Sequence, residues 1–232
     1  MSLCLCARAV VSRCNNALDV VFVVDAAGSV TDPNTNWQLI RDFMVDTVDR
    51  LEIDGGLTRV GLIALGDGTF THEFGLSMHS SSGAVKAAIN AVTFKGGSLD
   101  LVDGLNRVDT QFLTANGQRA AAVNVVIVIL DELPTNSDSE VLNAARAVQT
   151  GVPAAMFSVG ITAAVTGSNV PRFLASEPAV LTVNYFNVAT HSDLSTIDER
   201  LADQICVAVE PSPGDHACPM LLLLLHRRGC CF

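Results

Sequence analysis

Five apolar runs constrain the fold of this chain more than any other feature of its sequence. They are rich in valine and isoleucine and occupy residues 19–24, 59–65, 123–130, 154–161 and 181–188. Continuous apolar runs of this length are typical of strands buried on both faces, as in a parallel sheet. A shorter piece, residues 69–74, follows the turn sequence Gly66-Asp67-Gly68 and is predicted to pair antiparallel with the second run as an edge strand.

The segments between these runs carry helical periodicity. Apolar residues recur at three- and four-residue intervals, the pattern of an amphipathic helix, within residues 37–51, 85–92, 101–112, 141–148 and 194–205. Ser137 and Glu140 have the spacing of a capping box at the start of one of these helices. The alternation predicts an α/β domain with a doubly wound, mostly parallel central sheet, one antiparallel edge strand and helices on both faces.

Composition and length favour one folded domain with two terminal segments. Of the 232 residues, 49% are hydrophobic and 16% are charged, which is enough to build a large core. We predict a domain at 17–207, an N-terminal segment at 1–16 that resembles a signal-peptide remnant, and a disordered tail at 208–232. The five leucines of the tail are too few for a transmembrane segment, and the net charge of −10 argues against nucleic-acid binding.

The seven cysteines all lie near the ends of the chain, and none occurs between residues 15 and 205. Cys14 and Cys206 flank the predicted domain closely, and domain termini often lie near each other. We therefore predict a Cys14–Cys206 disulfide, which implies an oxidising compartment. Reduced thiols in frayed ends are the alternative. The pairing of the remaining cysteines is left open by the sequence: Cys4, Cys6, Cys218, Cys230 and Cys231.

Oxygen-bearing side chains follow the predicted strands at three places. Asp25 and Ser29 come at the end of the first run, Ser98 follows Gly96-Gly97 before a helix, and Asp131 follows the run 123–130. The carboxyl ends of parallel strands meet at one edge of the sheet, where open α/β folds bind ligands. Carboxylate and hydroxyl oxygens are the ligands that hard divalent cations prefer.

The order of these residues resembles the metal-ion-dependent adhesion site (MIDAS) of von Willebrand factor A domains, whose signature begins Asp-x-Ser-x-Ser. The resemblance covers about residues 17–207 and extends to Arg59-Val60-Gly61-Leu62-Ile63 and Phe157-Ser158-Val159-Gly160-Ile161. It implies that Asp25 holds a metal directly or through water, that Ser29 and Ser98 are hydroxyl ligands, and that Asp131 binds the metal or its water. The terminal cysteines also resemble those of extracellular members such as matrilins.

Two positions depart from the family pattern. Ala27 stands where the family has a serine and offers no oxygen, and Glu132 replaces the glycine of the usual Thr-Asp-Gly. Two hypotheses follow from this loss. A weakened site still binds Mg²⁺, Ca²⁺ or Mn²⁺, with water in place of the missing hydroxyl, or the domain is a metal-free interaction surface in which Asp25 and Ser29 serve only as caps.

The resemblance implies a secreted binding module of the extracellular matrix rather than an enzyme. Its ligand would be a matrix protein such as a collagen, bound at a degenerate adhesion site. The alternatives are a metal-independent structural domain for matrix assembly and, less favoured, an enzyme of the doubly wound class. No histidine pair has zinc spacing, so we predict that His72, His79 and His191 are surface histidines.

Overall fold

The computed structural model describes residues 16–28, 33–66 and 69–208. The strands in this part of the chain are β1 (Leu18–Asp25), β2 (Thr58–Gly66), β3 (Thr69–Phe74), β4 (Val123–Leu130), β5 (Ala154–Ile161) and β6 (Tyr185–Val188). The α-helices are α1 (Pro33–Asp49), α2 (Ser82–Ala91), α3 (Leu101–Asn106), α4 (Val108–Gln111), α5 (Asp138–Gly151), α6 (Thr162–Thr166), α7 (Val170–Leu174) and α8 (Asp198–Ala208). Two 3₁₀ helices span Thr114–Asn116 and His191–Thr196.

The strands form one sheet in the order β3-β2-β1-β4-β5-β6. Every neighbouring pair is parallel except β2 and β3, which are antiparallel. The predicted fold class is therefore confirmed. The chain moves from β1 toward one edge of the sheet through β2 and β3, and then returns to the other side of β1 through β4. This reversal places a topological switch point at the carboxyl ends of β1 and β4.

Alternating side chains of the strands fill two apolar layers, one on each face of the sheet. On β1, Val20 and Phe22 face one layer, and Val21 and Val23 face the other; all four are 0% exposed. Helices α1, α2 and α8 cover the first layer, and α3, α5 and α7 cover the second. The periodic residues predicted for the first helix pack into the core as expected: Trp37, Ile40, Met44, Val48 and Leu51.

Three predicted elements are shorter or more broken than the sequence indicates. The run 181–188 is a strand only over Tyr185–Val188, because a turn in which the Thr182 N–H donates to the Tyr185 carbonyl (2.7 Å) interrupts it. The pattern 101–112 is divided into α3 and α4 at Arg107. The last pattern, 194–205, begins as a 3₁₀ helix before α8. The capping box predicted from Ser137 and Glu140 is confirmed at the start of α5.

A buried ion pair closes the amino edge of the sheet. The Asp19 side chain is fully buried, and its carboxylate accepts from the Arg119 Nε (2.9 Å) and from the Arg119 backbone N–H (2.6 Å). The same guanidinium donates to the carbonyls of Leu18, Gly56 and Leu57. The buried Asp19 carboxylate is therefore paired with a guanidinium, whereas Asp131 Oδ1 at the carboxyl edge has no donor in the described residues.

The predicted N-terminal segment and C-terminal tail lie almost wholly outside the described residues. Within residues 16–28, 33–66 and 69–208, no helix combines the length and hydropathy needed to cross a membrane.

Candidate functional site

Asp25, the last residue of β1, joins two of the loops at the carboxyl edge. Its side chain is 0% exposed. Oδ1 accepts a hydrogen bond from the Ala27 N–H (2.9 Å), and Oδ2 accepts longer ones from the N–H groups of Asp131 (3.4 Å) and Glu132 (3.3 Å). The carboxylate therefore holds its own loop and the loop after β4 together.

The loop before α3 pairs with the loop after β1 through main-chain hydrogen bonds. The Ala26 carbonyl accepts from the N–H groups of Lys95 and Gly96, both at 2.9 Å, and the Gly28 N–H donates to the Gly97 carbonyl at 2.9 Å. Gly96 and Gly97 adopt φ of 72° and 76°, a left-handed conformation that favours glycine. Ser98 follows directly and is exposed at this rim.

The loop before α3 is also tied to the loop after β4. The Thr135 N–H donates to the Leu99 carbonyl (3.0 Å), and the Asn136 Nδ2 donates to the Asp100 Oδ1 (3.1 Å). All three predicted loops therefore meet at one rim, with Asp25, Ser98 and Asp131 on it. Ser29 lies outside the described residues, so its predicted role stays a prediction.

Asp131 is the most constrained side chain of the rim. It is 5% exposed, and its Oδ2 lies 3.0 Å from the Nε2 of His191. Its main-chain carbonyl accepts from the Thr162 hydroxyl at 3.2 Å. The prediction that His191 is a surface histidine is wrong: the residue is only 8% exposed, because the chain after β6 brings it against the carboxyl end of β4. His79 is partly buried and stacks edge-on against Phe74.

The carboxylates of the rim are poorly compensated within the described part of the chain. Asp131 Oδ1 and Glu132 Oε1 are buried and have no hydrogen-bond donor there. Burial raises the pKa of Asp25 well above its usual range, and the charge of Asp131, a side-chain hydrogen bond with it and the charge of Glu132 raise that pKa further. A proton or a cation is what satisfies such a group of oxygens.

These carboxylate oxygens are suitable ligands for a hard divalent cation, provided that hydroxyls or water complete its coordination shell. Nowhere in the described residues do three His, Cys, Asp or Glu side chains form a ready-made metal cage. Buried carboxylate oxygens without donors are nevertheless the groups that such a cation needs. Ala27 supplies no oxygen; it is 1% exposed and packs in the apolar layer under α3 and α5.

Cys206, on α8, takes part in a disulfide bond. It is the only cysteine among the described residues, so its partner lies outside them, and the pairing with Cys14 stays a prediction.

The fold and the rim together define a doubly wound α/β domain that presents oxygen ligands at its switch point. The family model for the von Willebrand factor type A domain matches residues 19–200. The chain therefore belongs to the von Willebrand factor type A family, as its resemblance predicts.

Curated relatives and solved structures agree with this assignment. Mouse matrilin-1 is 29% identical over 197 residues, covering 84% of this chain and 37% of the relative. Human matrilin-4 is 33% identical over 201 residues, covering 84% of this chain and 30% of the relative. This chain thus spans less than two fifths of the length of these relatives.

Among solved structures, proximal thread matrix protein 1 of the mussel byssus has a TM-score of 0.74 at 20% identity, covering 84% of this chain and 49% of that one. A structure of the same mussel protein with a zinc-occupied MIDAS motif has a TM-score of 0.71 at 25% identity, covering 84% and 47%. The manganese-loaded TRAP protein of Plasmodium vivax has a TM-score of 0.62 at 18% identity, and the match covers 79% of this chain and 73% of the TRAP chain.

Two residues of the rim are missing from the sequence-based prediction, His191 and Thr162. His191 lies 60 positions after its partner Asp131. One signal was available: Thr190 and Asp193 have capping-box spacing just after the last apolar run, which places His191 in a first turn at the carboxyl edge. Thr162 has no such signal, because the run 154–161 predicts only where β5 ends.

Proposed function

We propose that this domain is an extracellular binding module that takes an acidic side chain of a matrix protein at its carboxyl-edge rim, through a divalent cation. Asp25, Ser29, Ser98 and Asp131 are the residues that would hold the cation. Once bound there, it supplies an open coordination position for a carboxylate oxygen of the partner. We propose a binding role and no catalysis.

One observation carries this proposal: the buried Asp131 Oδ1 has no donor in the described residues, and the Asp131 carboxylate lies close enough to the buried carboxyl of Asp25 to raise the pKa of Asp25. The repulsion between these two buried carboxylates, together with the missing donor at Asp131 Oδ1 in the described part of the chain, disfavours the ionised folded state. A cation removes that cost, which is a reason for the three loops to hold both groups at one rim. Mg²⁺, Ca²⁺ and Mn²⁺ all suit oxygen ligands.

The location and the partner class rest on the relatives. Matrilins are secreted proteins of the extracellular matrix. A disulfide at Cys206 fits an oxidising compartment. A matrix protein, with collagen as the first to be tried, is therefore the partner we propose.

Thermal unfolding with and without cations tests the proposal. A cation that binds only the folded state raises the melting temperature, so Mg²⁺ or Mn²⁺ at millimolar concentration should raise it relative to EDTA. Ala27→Ser restores the oxygen that the family pattern has and should enlarge the shift. Ala26→Ser is the matched control, because the neighbouring Ala26 packs in the layer on the opposite face of the sheet.

A second function, matrix assembly through metal-independent surfaces, is favoured by Ala27 itself, whose methyl group is part of the apolar core. The two functions give opposite results in the same experiment. If no cation changes the melting temperature of the wild type, and Ala27→Ser adds no shift, the metal-independent function replaces the first. Binding of an immobilised matrix protein that resists EDTA would support the second function directly.

A further inference from the structure

The main chain of Asp131 is held at both of its polar groups. Its N–H donates to the Asp25 Oδ2 at 3.4 Å, and its carbonyl accepts from the Thr162 hydroxyl at 3.2 Å. Thr162 has φ of 74°, a conformation that β-branched residues rarely adopt. Strain of this kind persists where the surrounding structure enforces it, and it is concentrated at functional sites.

With the main chain fixed, the side-chain torsions of Asp131 decide where its two carboxylate oxygens lie. Among the described residues, His191 makes a hydrogen bond that restrains these torsions: its Nε2 lies 3.0 Å from Oδ2. An ionised carboxylate oxygen can only accept, so a hydrogen bond to an ionised Asp131 requires the tautomer in which Nε2 carries the hydrogen. Oδ2 is thereby occupied, and Oδ1 is the oxygen that stays without a donor.

The position of His191 is itself fixed by its surroundings. Its 3₁₀ helix begins with a complete capping box, in which the Thr190 N–H donates to the Asp193 Oδ2 at 3.0 Å. The helix packs against α1, and a small cleft between them is lined by Leu39, Phe43 and His191. The imidazole is therefore presented to Asp131 by a rigid element rather than by a free loop.

We propose that His191 is the positioning residue of the rim: by occupying Oδ2, it orients the Asp131 carboxylate and leaves Oδ1 as the oxygen that serves as the cation ligand. The measurement of cation affinity that tests this inference rests on the proposed function. Groups that orient a metal ligand by a hydrogen bond commonly account for 10–100-fold in metal affinity.

Mn²⁺ titration of four variants, followed by calorimetry, tests the role in solution. His191→Gln keeps an N–H donor at the Nε2 position, because the amide nitrogen of glutamine is the same number of bonds from Cβ. His191→Asn places its amide one bond short of that position. We expect His191→Ala and His191→Asn to lose about 10–100-fold in Mn²⁺ affinity, and His191→Gln to stay near the wild type. His79→Ala, which changes a histidine away from the rim, should not alter the affinity.

Crystal structures of His191→Asn and His191→Gln in EDTA give a second readout that needs no cation. We expect the Asp131 carboxylate to rotate in the asparagine variant and to keep its orientation in the glutamine variant. An unchanged carboxylate in His191→Asn overturns the inference, whether or not the wild type binds Mn²⁺. If the wild type binds no cation but the carboxylate rotates, the proposed function fails while the positioning role stands. Equal Mn²⁺ affinities for wild type, alanine and glutamine variants would also overturn the inference.

Discussion

Replacing Asp25 by asparagine should stabilise the metal-free domain, and the gain should grow with pH. Burial, together with the neighbouring charges of Asp131 and Glu132, raises the pKa of Asp25 well above its usual range. The folded state therefore holds a proton on Asp25 at pH values where the unfolded chain has released it. The stability that this proton contributes is complete below the unfolded pKa of about 3.9 and is lost as the pH rises through the folded pKa. Asparagine stays neutral, so the Asp25→Asn variant loses no stability from this position as the pH rises.

The magnitude follows from the linkage of proton binding to unfolding. One proton changes the free energy of unfolding by about 1.4 kcal/mol per pH unit between the two pKa values. For a domain of this size, 1 kcal/mol shifts the melting temperature by about 2–4 °C, so the difference between Asp25→Asn and wild type should widen by about 3–6 °C per pH unit from about pH 4 up to the folded pKa of Asp25. The hydrogen bonds that asparagine loses at Oδ2 are long, at 3.4 and 3.3 Å, and their cost does not vary with pH.

Calorimetric melts of both proteins in EDTA, from pH 4 to pH 8, measure this difference. EDTA is essential, because a bound cation would favour the ionised carboxylate. The same pair of proteins in Mn²⁺ should show the reverse order, since asparagine removes a proposed cation ligand. A difference that is flat across the pH range, or that narrows as the pH rises, would refute the assignment of a buried, proton-holding Asp25.

Substitutions at three further positions test other parts of the structure by urea unfolding. Gly28→Ala should cost about 1–3 kcal/mol, because its Cβ would lie 2.8 and 2.9 Å from main-chain atoms of Gly97; unchanged stability would mean that the two loops are not rigidly paired. Thr162→Gly should be about 1 kcal/mol more stable than Thr162→Val, since both lack the hydroxyl and only valine is strained at φ of 74°; the opposite order would contradict the left-handed conformation. Arg119→Ala should cost about 3–5 kcal/mol, because it leaves the fully buried Asp19 carboxylate without its guanidinium; a loss within about 0.5 kcal/mol, as expected for an exposed pair, would count against this ion pair.

Much of the fold was predictable because its signals are local. Val20 and Phe22 face one layer and Val21 and Val23 the other, so the run that contains them had to be apolar throughout. The capping box at Ser137 is a contact within one turn and can be read directly from the sequence. The prediction of a single strand over 181–188 was wrong. An apolar run favours a strand, but it does not show that the Thr182 N–H closes a turn onto the Tyr185 carbonyl.

The candidate site was predictable only to the level of which loops meet. That Asp25 and Asp131 end neighbouring strands follows from parallel pairing around a switch point, and the structure bears this out. The hydrogen-bond partners of these carboxylate oxygens could not be predicted from the sequence, because those contacts join residues far apart in the chain. The Asp131–His191 hydrogen bond spans 60 positions, and the capping-box spacing around His191 indicates at most the edge of the sheet, not its partner.

The sequence by itself determined the layered architecture, the edge of the sheet that carries the polar loops and the loss of a hydroxyl at Ala27, because apolar periodicity, strand ends and residue types are properties of single segments. Only the tertiary structure decided that Asp131 has one oxygen bonded by His191 and one without a donor in the described part of the chain, and that Thr162 is held in a left-handed conformation beside it. These features arise where β4, β5 and the segment after β6 are packed together, since the free energy that orients each group comes from residues on another segment.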